Sequence, residues 1–213
     1  MSQTGNELKD RVSRITLFGV LAEWDHDRAR HSSDSARRNG CCRHWGVEMS
    51  LEAELRVIQA IAFDFDGVFT DDRVLVSENG EESVLCSRAD GLGIEALRKL
   101  GIPMIIISKE RNPVVASRAT KLSMEFVQGC DDKLPVLKEW IRDIGATSEQ
   151  VAYMGNDVND LDCLRFVGLP VAPRDARPEV LSVARLVTKQ PGGRGAIREL
   201  ADALVAARAQ AGR

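Results

Sequence analysis

From Val57 onward the chain repeats one pattern, a short apolar run and then an amphipathic stretch. The apolar runs are VIQAIAFDF, IPMIIIS, MEFVQG, VAYMG, GLPVA and ARLVT. Around them lie GLGIEALRKLG, NPVVASRATKL, KLPVLKEWIRDIG, VNDLDCLRFVG, RPEVLSVA and GRGAIRELADALVAAR, most with aliphatic residues three or four apart. Strands that are apolar throughout need cover on both faces, and strands alternating with helices run parallel. The pattern predicts an α/β fold, a parallel sheet between two helical layers. Gly101 and Gly145 fit helix ends, and Pro103 enforces the break before the next strand. In such folds ligands sit beyond the carboxyl ends of the strands.

One segment interrupts the alternation. RVLVSENGEESVLC has Val74 and Val76, then Asn79-Gly80, then Val84 and Cys86. Asn-Gly between alternating apolar residues signals a hairpin. The hairpin directly follows an aspartate cluster, which suits it to act as a flap or as a contact between subunits.

Residues 1–56 differ in character. HDRARHSSDSARRNGCCRH is rich in Arg, Ser and His and poor in aliphatics, a composition that buries too little surface to order a chain. Leu8, Val12 and Ile15 within ELKDRVSRITLFGVLAEW have the spacing of a short amphipathic helix. Cys41, Cys42 and His44 carry metal-binding chemistry, but a solvated linker is the expected reading. Met49 stands as an alternative start of the working protein. The division is thus an N-terminal extension, 1–56, poorly ordered, and one folded domain, 57–213.

Several classes of function are not expected. Net charge is −3, with no basic excess for nucleic acid. No apolar stretch approaches the roughly 20 residues of a membrane span, and no basic-then-apolar leader opens the chain. The five cysteines are odd in number and irregularly spaced, with no CxxC pair. That fits a reducing cytoplasm better than a disulfide framework or a zinc site.

The polar residues collect at strand ends. The first strand delivers Asp64 and Asp66, the second Ser108 followed by Lys109, Glu110 and Arg111. After the third comes QGCDDK with Lys133 opening a helix, and after the fourth GNDVND with Asn156, Asp157 and Asp160. Alternation along a strand puts Asp64 and Asp66 on one face. Two carboxylates together repel unless a cation or proton intervenes, and hard oxygen donors suit Mg²⁺. One carboxylate can then attack phosphorus while the other protonates the leaving alcohol and later deprotonates water. The metal and an ammonium neutralise the transferring oxygens. Gly67 lets backbone approach the phosphate.

DFDGVFT, IIISKE, DDK and GNDVND, in this order, resemble the four motifs of the haloacid dehalogenase-like hydrolases over about residues 57–205. The resemblance implies a Rossmann-like three-layer α/β/α fold. The small hairpin with no large inserted cap is similar to the 3-deoxy-D-manno-octulosonate 8-phosphate phosphatase group. That group takes in acylneuraminate 9-phosphate phosphatases and the phosphatase-like domain of acylneuraminate cytidylyltransferases. SRADGLGI, QGCDDKLPVL and GGRGAIRE resemble stretches of the same group.

The group implies Mg²⁺ dependence, a phosphorylated sugar acid as substrate, and a homotetramer whose neighbours help close each site. Carried over by motif, Asp64 is the nucleophile and Asp66 the general acid/base with its carbonyl on the metal. Ser108 bonds the phosphoryl group, Lys133 neutralises it, and Asn156, Asp157 or Asp160 completes the metal site. Glu110 and Arg118 resemble the substrate contacts of the acylneuraminate branch, where octulosonate phosphatases have Thr-Gly-Arg in place of Ser108-Lys109-Glu110. Arg88, with Asp90, is placed to frame the substrate, and Arg194 to meet substrate or a neighbouring subunit. The usual acid after Gly155 is here Asn156, which resembles the cytidylyltransferase-associated members. A rival expectation follows: an oligomerisation or regulatory module with weak catalysis.

Overall fold

A computed structural model describes residues 50–211, and the expectations for Leu8, Val12, Ile15, Cys41, Cys42 and His44 lie outside them. The described chain opens with a helix, α1 (Leu51–Val57), inside the segment expected to be an extension. Its N-cap is Ser50, whose hydroxyl accepts the Ala53 N–H, and Leu55 enters the core. The folded unit therefore starts before Val57, and the first strand is shorter than VIQAIAFDF suggests.

The remaining elements follow in chain order. They are β1 (Ala60–Phe63), the hairpin strands β2 (Leu75–Val76) and β3 (Glu82–Ser83), α2 (Arg88–Lys99), β4 (Met104–Ile107) and α3 (Val114–Leu122). Next are β5 (Glu125–Val127), α4 (Lys133–Asp143), β6 (Val151–Met154), α5 (Leu161–Phe166), β7 (Leu169–Ala172), α6 (Pro178–Leu181), β8 (Leu186–Val187) and α7 (Ala196–Ala211). Six strands form one parallel sheet in the order β5-β4-β1-β6-β7-β8.

Alternate residues of each strand feed two separate cores. Ile61, Phe63, Ile106 and Met154 face Ile94 and Leu97 of α2 and Leu200 and Leu204 of α7. Ala60, Ala62, Ile105, Ile107 and Tyr153 face Leu137, Trp140 and Ile141 of α4 and Leu164 of α5. β1, β4 and β6 are buried at every residue for this reason, and their apolar runs are continuous rather than alternating. Each fully buried Leu, Ile or Phe contributes about 1.5–3 kcal/mol, so the three-layer arrangement is dictated by burial.

Strand order changes direction at β1, with β4 on one side and β6 on the other. Such a switch point opens a crevice at the carboxyl ends of the strands. The hairpin lies after β1, pairs Leu75 with Ser83 and Val76 with Glu82, and turns through Gly80 at φ +83°. It forms its own two-stranded sheet.

Candidate active site

The ladder beside β1 continues one step past Phe63, where the Asp64 N–H donates to the Met154 carbonyl at 2.9 Å. The chain then leaves the strand. A turn closed by the Phe69 N–H on the Phe65 carbonyl, 2.8 Å, carries Asp66 and Gly67. The strand alternation expected to align Asp64 with Asp66 thus stops short of Asp66, and the turn places it. Thr70 secures that turn: its buried hydroxyl accepts the N–H groups of Gly67 and Asp72 and bonds the Asp66 carboxylate.

Asp64 and Lys133 meet under the sheet edge. Lys133, 2% exposed at the first position of α4, places its Nζ 2.7 Å from Asp64 Oδ1 and 2.8 Å from Asp160 Oδ1. Asp64 Oδ1 also accepts the Phe65 N–H at 2.6 Å, so both hydrogen bonds fall on one oxygen and none on Oδ2. Burial pushes the Asp64 carboxyl well above its ordinary range, the charge of Asp160 adds to this, and Lys133 opposes both. Burial also works against the charge on Lys133, but Asp64 and Asp160 overcome it and hold that pKa above the usual lysine value. A buried acid raised in this way calls for a proton or a cation beside it.

Asp66 is less buried. Loss of solvent raises its pKa to about 6, with Glu110 and Asp72 adding to the rise and Lys133 and Thr70 opposing it. An acid near neutrality suits a group that must both give and take a proton. Ser108, buried past the end of β4, accepts the Glu110 N–H on Oγ at 3.0 Å, which leaves its own hydrogen to donate.

The fourth motif divides its labour. Asp160, expected among the metal ligands, is fully occupied. Oδ1 accepts Lys133 and the Tyr153 hydroxyl at 2.7 Å, and Oδ2 accepts the Asn156 and Asp157 N–H groups at 3.0 and 3.3 Å. Asp157 accepts the Val158 N–H and caps a short 3₁₀ turn at the rim. Asn156, 9% exposed, has a buried Oδ1 with no hydrogen-bond partner. An orphaned buried amide oxygen is the donor a hard cation needs. Among the described residues no three acidic, His or Cys side chains converge closely enough for a metal. The residues that could hold a divalent ion such as Mg²⁺ are Asp64 and Asn156, with the Asp66 carbonyl that the family resemblance implies and Asp157 at the rim.

Gly67 has φ +73°, and a Cβ there would stand 1.9 Å from Asn156 Nδ2. The glycine makes room for that amide, a reason additional to the expected approach of phosphate.

Other expected substrate contacts brace the site. Glu110 Oε1 accepts the N–H groups of Arg111 and Asn112, shaping the bend after β4. Arg118 donates to the Ser87 carbonyl at 2.9 Å, behind the start of α2, and its Nε is buried without a partner. Arg88 is exposed on the first turn of α2. Arg194 pairs with Asp71 at 3.1 Å, while the Gly193 N–H donates to the Val68 carbonyl at 2.9 Å. A Cβ on Gly192 would lie 1.8 Å from the Gly67 carbonyl oxygen, so the GGRG turn sits flush against the nucleophile loop. Buried Asp90 takes the N–H groups of Gly195 and Arg198 and caps α7 from the neighbouring helix. Tyr153 and Thr70 were not anticipated, and their only sequence signal is polarity within an otherwise apolar neighbourhood.

A paired acid and ammonium, a second acid near neutrality and an orphaned oxygen, set at a switch point, define a metal-assisted hydrolase of phosphate esters. A family profile described as haloacid dehalogenase-like hydrolase matches residues 104–199. The chain is 37% identical over 151 residues to the 3-deoxy-D-manno-octulosonate 8-phosphate phosphatase of Yersinia pestis, covering 70% of this chain and 81% of that protein. A solved haloacid dehalogenase family hydrolase from Streptomyces avermitilis superposes with TM-score 0.68 at 53% identity, over 68% of this chain and 84% of the other. The octulosonate phosphatase of Moraxella catarrhalis, solved with magnesium, phosphate and its sugar acid, gives TM-score 0.71 at 30% identity over 73% and 90%. The chain belongs to the haloacid dehalogenase-like hydrolases and is a phosphatase of that family.

Proposed function

We propose that the protein is a Mg²⁺-dependent phosphomonoesterase that hydrolyses a phosphorylated sugar acid. The substrate is of the 3-deoxy-octulosonate 8-phosphate or acylneuraminate 9-phosphate kind. The observation that carries the chemistry is Lys133, buried between Asp64 and Asp160 beside the orphaned Asn156 oxygen. The relatives above support the substrate class.

In this reading Asp64 Oδ2, the oxygen with no protein hydrogen bond, attacks phosphorus and forms an aspartyl-phosphate. Asp66 passes its proton to the departing alcohol oxygen. The Ser108 hydroxyl and Lys133 ammonium hold the phosphoryl oxygens as charge spreads over them. Asp66, now ionised, takes a proton from water, which cleaves the acyl-phosphate and returns Asp64. Asp64, the Asp66 carbonyl and Asn156 would hold the metal, which would supply charge neutralisation at the phosphoryl group.

With no large cap among the described residues, selectivity depends on the hairpin, Glu110, Arg118 and a neighbouring subunit. The hairpin exposes Leu75 and Leu85, 74% and 78% accessible, with Val74 and Val76 beside them. That apolar surface supports assembly into a homotetramer, which sedimentation would measure. The free thiols of Cys86, Cys130 and Cys163 suit a reducing cytoplasm.

The test is phosphate release from a panel of sugar-acid 8- and 9-phosphates with Mg²⁺. Turnover of one of them, abolished in Asp64→Asn, is the expected result, and undiminished Mg²⁺-dependent turnover in that variant refutes the nucleophile. The uncharged Asn156 favours the module reading. Tetramers of both wild type and Asn156→Asp that release no phosphate would establish it.

A further inference from the structure

The donors that fit a cation here carry little charge. Of the donors that fit a cation, the Asp66 carbonyl and the Asn156 amide are neutral. The third, Asp64, already shares Oδ1 with Lys133 and the Phe65 N–H. A buried ammonium thus stands against the one carboxylate a dication would use, and at buried sites such charges repel strongly.

The nearby acid that could make up the deficit is locked. Asp160 spends both oxygens on four donors: Lys133, Tyr153 and the Asn156 and Asp157 N–H groups. Its Cγ lies 2.5 Å from where a Cβ on Gly155 would be, so the carboxylate is wedged against the backbone. Swinging Asp160 toward a metal would break bonds to a buried cation, a hydroxyl and two amides together. Asp157, the other acid of the loop, is bound to the Val158 N–H at 2.6 Å.

Mg²⁺ gives up water reluctantly and compensates with anionic oxygens. A bound phosphate group would supply such anionic oxygens and would offset the repulsion between a dication and the Lys133 ammonium. We propose that metal and phosphate enter this site as a mutually dependent pair: the free protein holds Mg²⁺ weakly, and each partner strengthens the binding of the other. The neutral amide of Asn156 sets the size of that dependence. The proposal rests on the metal-and-phosphoryl reading of the site and is independent of which sugar acid is cleaved.

Linkage requires the effect to be reciprocal. The experiment is calorimetric titration of the full chain with MgCl₂, without and with saturating inorganic phosphate, and with phosphate in the absence and presence of Mg²⁺. Heats of magnesium phosphate formation are subtracted. Phosphate is expected to tighten Mg²⁺ binding about 10-fold or more, and Mg²⁺ to tighten phosphate binding by the same factor. Asn156→Asp, which puts a charge on the orphaned oxygen, is expected to bind Mg²⁺ more tightly alone and to reduce the mutual factor to about 3-fold or less. Equal Mg²⁺ affinity with and without phosphate in wild type overturns the proposal, whether or not the variant folds. An unchanged factor in a folded Asn156→Asp protein also overturns it. Absence of Mg²⁺ binding under both conditions overturns the metal reading as well.

Discussion

Replacing Gly67 with alanine tests the link between the nucleophile loop and the metal-binding amide. Two costs add. The residue sits at φ +73°, where a side chain costs about 1–2 kcal/mol. The new Cβ would also stand 1.9 Å from Asn156 Nδ2, where ordinary contact begins at 3.4 Å. Asn156 is buried and must move, and overpacking of that kind costs about 1–3 kcal/mol. The sum, about 2–5 kcal/mol, lowers Tm by roughly 4–20 °C for a domain of this size. Scanning calorimetry reads that loss, and Mg²⁺ titration in saturating phosphate reads the displacement of the amide oxygen. The second variant, Gly67→Ala with Asn156→Ala, removes the clash but keeps the backbone strain. It should regain the overpacking part of the stability while Mg²⁺ binding stays weak. A Gly67→Ala protein that loses under about 1 kcal/mol, or a double variant no more stable than the single, would show that Gly67 does not accommodate Asn156.

Three further outcomes follow from the geometry. Glu110→Gln keeps the oxygen that accepts the Arg111 and Asn112 N–H groups but removes a charge that raises Asp66, so the alkaline fall of kcat/KM, where Asp66 loses its proton, should move to lower pH. A profile that stays in place or moves upward contradicts the assignment of Asp66 as the acid. Tyr153→Phe removes one donor from Asp160 without changing the packing volume; kcat should fall about 10-fold with KM unchanged, and equal kcat would limit Tyr153 to a structural part. Asn112 joins the hairpin to the bend after β4 by donating to Glu82 at 3.0 Å. Asn112→Asp should speed amide exchange of the hairpin about 2- to 5-fold, and adding Glu82→Gln, which reverses donor and acceptor, should slow it again.

The fold was legible because the strands are covered on both faces, and continuous runs such as MIII in β4 survive as a signal of length and period. The hairpin was legible through Asn79-Gly80, and the start of α4 at Lys133 through its place after QGCDD. Helix α1 was missed because Leu51 and Leu55 offer only two apolar residues before Val57, and Val57 closes the helix instead of opening the strand. Strand alternation was expected to align Asp66 with Asp64, whereas a turn after β1 places the second acid. Asp160 reads as a ligand in GNDVND because its neighbours Tyr153 and Lys133 come from a different strand and a different helix. Glu110, Arg118 and Arg194 look like surface groups free to reach a substrate. Glu110 turns back on the N–H groups of its own bend, while the partners of Arg118 and Arg194, Ser87 and Asp71, become visible only when distant segments are brought together.

The Gly192–Gly193 turn that lies on the nucleophile loop sits near the end of the chain, whereas Asp64 sits in its first third. During synthesis the strand bearing Asp64 emerges long before the segment that presses its loop into shape, and α7 cannot be capped by Asp90 until later still. The loop that carries the reactive carboxylate thus takes its final shape only when the sheet and the segment leading into α7 come together.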